Sequence, residues 1–120
     1  MSNLSAIVND YIKRHRKAAE KELWWYAIQP SFVDAVSLAA IAQGPSGKRL
    51  NHQRRIPRAI LEKSRHRLLQ EIDRLESAAS FEELFDTVES TIGGIKGIGE
   101  LTVYDTALRI GARLIEMMVM

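Results

Sequence analysis

Apolar residues recur three or four positions apart along almost the whole sequence, and no run of β-branched residues alternates with polar ones. This spacing places apolar side chains on one face of an α-helix, so we predict an all-α fold. A chain of 120 residues is long enough to bury one hydrophobic core and too short for two. We therefore expect a single domain, residues 1–120, in which about five helices form one compact bundle.

Proline, glycine and capping residues divide this pattern into helices. Pro30 ends the first helix, and the turn Gly44–Gly47 ends the second. Pro57 suits the first position of the third helix. Ser80 and Glu83 have the spacing of a capping box, which begins the fourth. The predicted helices cover about residues 4–28, 31–43, 57–79, 81–92 and 100–120.

Charge is distributed unevenly along the chain, although the net charge is only +2. Residues 48–67 contain eight lysines and arginines against one acid, Glu62. Residues 71–89 contain seven acids against one base, Arg74. We therefore expect one basic and one acidic side.

Composition excludes several classes of protein and site. The chain has no cysteine, which excludes disulfides and thiolate zinc sites and makes the cytoplasm the default location. His15, His52 and His66 lack the spacing of metal ligands, so we expect no metal and no other cofactor. No window approaches the roughly 18 apolar residues of a membrane span, and the N-terminus lacks the apolar run of a signal peptide, so we expect no membrane partner.

Four of the seven glycines lie between Gly93 and Gly99, between the fourth and fifth predicted helices. The stretch Ile95-Lys96-Gly97-Ile98-Gly99 has the order apolar, any residue, glycine, apolar, glycine. A helix, this stretch and a second helix together resemble the helix-hairpin-helix motif of non-sequence-specific DNA-binding proteins and DNA repair enzymes. The resemblance covers about residues 81–112, and we expect the whole motif at about 81–115.

The resemblance implies a role for each matching residue. Gly97 and Gly99 would turn the chain, Ile98 would be the apolar plug between the helices, and Lys96 would add a positive charge. The amides from Gly97 to Leu101 would bind a DNA phosphate, and the hydroxyl of Thr102 would reach the same phosphate. Independently of the family, a helix N-terminus offers unpaired N–H groups and a partial positive charge.

The chain departs from the usual motif just after the second glycine. Family members often carry proline and then lysine or arginine there, whereas this chain has Glu100 and Leu101. A carboxylate in the first turn stabilises the helix dipole by about 0.3–1 kcal/mol, and it repels a phosphate that approaches the same amides.

The basic stretch could extend the phosphate-binding surface. The candidate residues for this role are Lys48, Arg49, His52, Arg54, Arg55, Arg58, Arg65 and Arg67. No aromatic residue interleaves with them, which argues against a platform that stacks single-stranded bases. We therefore expect duplex backbone to be the ligand, although a solvated loop and helix face would have the same composition.

The predicted fifth helix has an apolar side and a polar side. The apolar side carries Leu101, Tyr104, Leu108, Ile115 and Met118. The polar side carries Thr102, Thr106, Arg109, Arg113 and Glu116. Asp105 and Arg109 form an i,i+4 pair, for which we expect only about 0.3 kcal/mol.

Two other functions are open on the sequence. In one, the hairpin only packs, and the chain is an adaptor that binds protein through its Trp and Met surfaces, although Trp24, Trp25 and Tyr26 suit core packing better. Separately, the apolar C-terminal tail is either the last turn of a core helix or an exposed patch, and in the second case we expect a homodimer. In the other, the chain is a small nucleic-acid-processing enzyme anchored by the hairpin. The acids of residues 71–89 are spaced like a solvated face, and Asp105 has no second catalytic group, so we expect a binding protein rather than an enzyme.

Overall fold

The computed structural model of the chain describes residues 23–50 and 53–118, with side chains as far as residue 116. The helices are α1 (residues 23–27), α2 (Phe32–Ala40), α3 (Arg58–Gln70), α4 (Ile72–Glu76), α5 (Phe81–Ile92) and α6 (Glu100–Met118). The described residues form no strand, which confirms the all-α prediction. Most of the first predicted helix, His15 and His52 lie outside the described residues.

Serine side chains fix the start of two helices. The Ser31 hydroxyl accepts a hydrogen bond from the amide of Asp34, and the Ser80 hydroxyl accepts one from the amide of Glu83, each at 3.1 Å. Each bond satisfies an amide that has no partner within its own helix. The predicted starts of α2 and α5 are therefore confirmed.

The predicted third helix, residues 57–79, is wrong in its length. The chain leaves helical geometry at Glu71, where φ is −105° and ψ is 22°, and the short helix α4 then ends at Glu76. Leu68 and Leu75, on either side of this bend, are both fully buried. Apolar spacing continues through the bend without a proline or glycine, so the sequence pattern did not reveal it.

Four helices enclose the core. Helix α6 packs against α2 and α5, and α3 packs against the same two helices. Fully buried side chains from all of them meet in one cluster, which includes Val36, Leu61, Val88, Ile92 and Ile110. The connection between α5 and α6 is therefore attached to the core at both ends.

The aromatic cluster at the end of α1 is only partly buried. Tyr26 is fully buried, and its hydroxyl donates to the Gln43 carbonyl oxygen at 2.9 Å. Trp25 Nε1 donates to the same oxygen at 3.2 Å. The packing prediction is thus confirmed for these two residues, but it is wrong for Trp24, which is 60% exposed.

Helix α6 buries more than the side that was predicted: Leu108 is buried as expected, but residues of the predicted polar side are buried as well. Thr102, Thr106 and Arg109 are buried, whereas Leu101 and Ile115 are 52% and 63% exposed. The reason is that α6 is covered by α2, α5 and the loop after α2, so its buried surface is wider than one apolar stripe.

None of the described helices is long and apolar enough to cross a membrane.

Candidate functional site

Two isoleucines anchor the connection between α5 and α6. The amide of Ile95 donates to the carbonyl oxygen of Ile92, and the amide of Ile98 donates to that of Ile95, each at 3.0 Å. Both Ile95 and Ile98 are buried in the core. Two successive turns therefore carry the chain from one helix to the next, and Ile98 occupies the buried position that the sequence predicts for it.

The backbone conformation of Gly97 favours glycine, and the end of a neighbouring side chain would have to shift to admit a Cβ. The φ of Gly97 is +101°, a conformation that residues with a side chain rarely adopt. A Cβ at this position would also lie 2.7 Å from Cδ1 of Ile60 on α3. The turn therefore packs closely against the helix that carries part of the basic stretch.

Gly99 has a different environment. It is exposed, its φ is not in the left-handed region, and no atom lies within 4 Å of where a Cβ would be. The protein's own packing therefore does not require glycine at position 99. The open space lies directly over the first turn of α6.

The first amides of α6 have no recorded hydrogen-bond partner in the described part of the chain. The amide of Val103 bonds back to the Gly99 carbonyl oxygen at 3.1 Å. For the amides of Gly99, Glu100 and Leu101, the structure records no acceptor among the described residues. In particular, the Glu100 side chain does not cap them. These three nitrogens are the donors that an anion could use.

A groove of about 790 Å³ runs beside these amides, between the end of α5 and the start of α6. Its wall is mostly apolar and includes Phe85 and Tyr104. Two exposed carboxylates, on Glu89 and Glu100, also line it. Lys96 is exposed on the turn. The hairpin's own side chains therefore do not favour an anion, and attraction must come from the amides and from neighbouring cations.

Thr102 does not fit its predicted role. Its side chain is on the buried side of α6 and only 7% exposed. This burial argues against the predicted contact between the Thr102 hydroxyl and a phosphate. Leu101 is exposed, and its amide rather than its apolar side chain is the group suited to an anion.

Arg49 holds a loop together. Its Nη1 atom donates to the carbonyl oxygens of Gln53 at 3.5 Å and of Arg54 at 3.3 Å, and also to that of Ile56. These bonds fix the turn formed by residues 53–56. Arg49 therefore holds this loop in shape through Nη1, while the structure records no bond from its Nε and Nη2 atoms within the described residues.

The other predicted cations lie on the surface. Lys48, Arg54 and Arg55 are exposed, and the structure records no ion pair for them within the described ranges. Arg58 is exposed too, and its Nε atom lies 2.9 Å from a carboxylate oxygen of Glu62. Lys48, Arg54 and Arg55 are therefore available to meet a ligand directly, whereas Arg58 and the partly buried Arg65 both pair with Glu62. Arg67 is partly buried.

The segment from residue 53 to residue 60 is fixed to the hairpin at two points. At one end, the buried Gln53 hydrogen-bonds to Asp105 and Arg109 of α6. At the other, Ile60 packs against Gly97. Arg54, Arg55 and Arg58 lie between these points in the chain, so these predicted cations belong to a segment that contacts both α6 and the glycine turn. Gln53 is a functional candidate that no local sequence pattern marks, because its partners are 52 and 56 residues away.

The acids of residues 71–89 do not converge on a metal site. Among the described residues, no group of three or more histidine, aspartate or glutamate side chains could hold a metal ion.

Comparisons with known proteins identify no relative, since no protein-family model, curated protein or solved structure matches the chain.

Proposed function

We propose that the chain binds nucleic acid by its phosphate backbone, with duplex DNA as the preferred form, and does not read the bases. The observation that carries this proposal is the open first turn of α6, where Gly99 leaves space beside three amides that lack acceptors within the described chain. A phosphate oxygen is a strong acceptor, and its charge suits a helix N-terminus.

Neighbouring charges support the same proposal. Exposed Lys96 lies on the turn, and Arg54, Arg55 and Arg58 lie on the segment that packs beside it. Together these cations outnumber Glu89 and Glu100 in the groove. Contacts of this kind position a protein on the backbone and carry no sequence information.

Salt titration tests this proposal. We would measure the affinity for two short duplexes of unrelated sequence by fluorescence anisotropy at several salt concentrations. We expect equal affinities, and a fall of log K with log salt whose slope is roughly 3 to 4, because each contacted phosphate contributes about 0.9. No binding at low salt, or a slope near zero, would reject the proposal.

Charge variants sharpen this titration. Arg55→Gln should lower the slope by about 0.9. Arg74→Gln is the matched control, because Arg74 is exposed in the acidic stretch, where it pairs with Glu71 at 3.0 Å. Equal effects of the two substitutions would mean that the basic segment is not part of the interface.

One observation favours a second function, a protein-interaction module. Trp24, Ile28 and Val33 are large apolar residues, close in sequence, and each is about half exposed or more. Exposed apolar residues that form a patch mark interaction surfaces. This alternative predicts a molar mass that rises with concentration in light scattering, together with no affinity for DNA.

A further inference from the structure

A buried polar cluster connects the basic segment to α6. Gln53, Asp105 and Arg109 are each no more than 3% exposed. Gln53 Nε2 donates to Asp105 Oδ2 at 3.1 Å, and Arg109 Nη2 donates to Gln53 Oε1 at 2.7 Å. The direct distance from Arg109 Nη2 to Asp105 Oδ2 is 3.9 Å. The amide of Gln53 therefore makes the short contacts that the two charged groups do not make with each other.

A side chain at position 53 must donate to the Asp105 carboxylate and accept from the Arg109 guanidinium, which an amide can do. The carboxylate of Asp105 needs a donor, and the guanidinium of Arg109 needs an acceptor. Glutamine supplies both from one side chain, whereas glutamate, lysine or leucine would lose at least one of these two hydrogen bonds. A buried charged cluster of this kind is a poor way to gain stability, and its best attested use is to fix one arrangement among several.

The arrangement fixed here is the position of the basic turn. Arg54 and Arg55 follow Gln53 directly, and both are exposed. The Arg49 side chain also fixes the shape of this turn by donating to three of the turn's carbonyl oxygens. Asp105 is five residues from Glu100, which is roughly 7.5 Å along the helix axis. Arg54 and Arg55 therefore follow a residue that is attached to α6 itself.

We infer that Gln53, Asp105 and Arg109 are positioning residues, which attach the basic turn to α6 so that Arg54, Arg55 and the hairpin amides form one preassembled phosphate-binding surface. This inference rests on the proposed function. Arginines that are already in place lose less conformational entropy on binding than arginines on a free loop. The cluster acts on affinity through Arg54 and Arg55 and does not itself contact the ligand.

The test removes the attachment without changing the net charge. Gln53→Leu deletes both hydrogen bonds, and it should lower the salt slope for duplex DNA by about 1 to 2, as if Arg54 and Arg55 had lost their phosphates. Arg54→Gln with Arg55→Gln should then cost much less affinity in the Gln53→Leu protein than in the wild type. Circular dichroism and urea unfolding would establish that each protein is folded under the binding conditions.

A rescue variant separates positioning from general damage. In Gln53→Glu with Asp105→Asn, the acid and the amide exchange places, so the new carboxylate accepts from both Arg109 and the new amide, and the net charge is unchanged. We expect this protein to recover the wild-type slope. If Gln53→Leu does not fold, Gln53→Asn replaces it, because that side chain keeps the amide but is too short to reach both partners.

Each outcome decides between the proposals. A wild-type protein that does not bind duplex DNA would reject both the proposed function and this inference. If the wild type binds and the Gln53→Leu or Gln53→Asn protein keeps the wild-type salt slope, only the inference is rejected. This holds even if the affinity of that variant falls. A reduced slope that the exchanged pair does not restore would reject it as well.

Discussion

Gly97 lies directly against Ile60: with φ at +101°, its Cα faces α3 so closely that a Cβ would come within 2.7 Å of the Ile60 Cδ1 atom. This contact joins the glycine turn to the helix that follows the basic segment. The turn between α5 and α6 is thus part of the packed structure, and its conformation depends on a residue 37 positions earlier in the chain.

Replacing Gly97 by alanine should destabilise the fold. Both the positive φ and the contact with Ile60 oppose a side chain, so we expect a loss of about 1–3 kcal/mol in the free energy of unfolding, measured by urea denaturation. Gly94→Ala is the control, because Gly94 is exposed, has no positive φ and has open space around it. A loss no larger than that of the control would contradict the structure of the turn.

The steric part of this loss can be separated from the backbone part. Ile60→Val removes the Cδ1 atom that lies nearest to the missing Cβ. In the Ile60→Val protein, Gly97→Ala should therefore cost less than in the wild type, and the cost that remains reports the strain at positive φ. If the stability effects of Gly97→Ala and Ile60→Val were strictly additive, the alanine side chain would not clash with Ile60.

Replacing Gly99 by alanine should weaken duplex binding and leave the stability of the fold nearly unchanged. The site is open and its φ is ordinary, so we expect the free energy of unfolding to change by less than about 1 kcal/mol. The added methyl group would occupy the space that the proposal gives to a phosphate, and we expect the affinity for duplex DNA to fall about tenfold, equal to about 1.4 kcal/mol. Gly94→Ala should leave affinity unchanged. Wild-type affinity in Gly99→Ala would place the phosphate elsewhere.

Glu100→Gln should change stability and affinity in opposite directions. The Glu100 carboxylate lies in the first turn of α6, where it stabilises the helix dipole by about 0.3–1 kcal/mol. The substitution should therefore lower stability slightly and raise affinity for duplex DNA. Glu83→Gln, in the first turn of α5, should have the same small effect on stability and none on affinity. Equal affinities of all three proteins would remove Glu100 from the interface.

The helix starts and the turn could be predicted because their signals are local. Ser31 and Ser80 each bond to an amide three residues ahead, and α6 begins at Glu100, directly after the last glycine of the turn. A short stretch of sequence contains the whole interaction in each case. The bend at Glu71 has no such signal, since it follows from packing on both sides.

The buried polar side of α6 could not be predicted, for a related reason. An Asp105–Arg109 pair has the same sequence pattern on a surface as in a core. Its burial depends on Gln53, which is 52 residues from Asp105 and 56 from Arg109. Contacts between residues so far apart in sequence produce no periodic pattern. The stabilisation of a few tenths of a kcal/mol expected for an exposed Asp105–Arg109 pair therefore does not apply to this buried pair.

Breaking this buried pair should therefore be costly. Asp105→Ala leaves the Arg109 guanidinium without its carboxylate inside the protein, and we expect a loss of about 3–5 kcal/mol, compared with less than about 1 kcal/mol for an exposed pair. Asp105→Leu combined with Arg109→Met removes both charges and should cost clearly less than Asp105→Ala. Urea denaturation measures all of them, and a small effect of Asp105→Ala would contradict the buried arrangement.

The account depends most on a phosphate reaching the amides at the start of α6, and the nuclear magnetic resonance of those amides tests this directly. A short duplex would be titrated into the ¹⁵N-labelled protein at low salt. We predict the largest amide shifts at Gly99, Glu100 and Leu101, smaller ones at Arg54 and Arg55, and almost none in the first turn of α5. Unchanged signals at Gly99, Glu100 and Leu101 in the presence of saturating duplex would contradict the account.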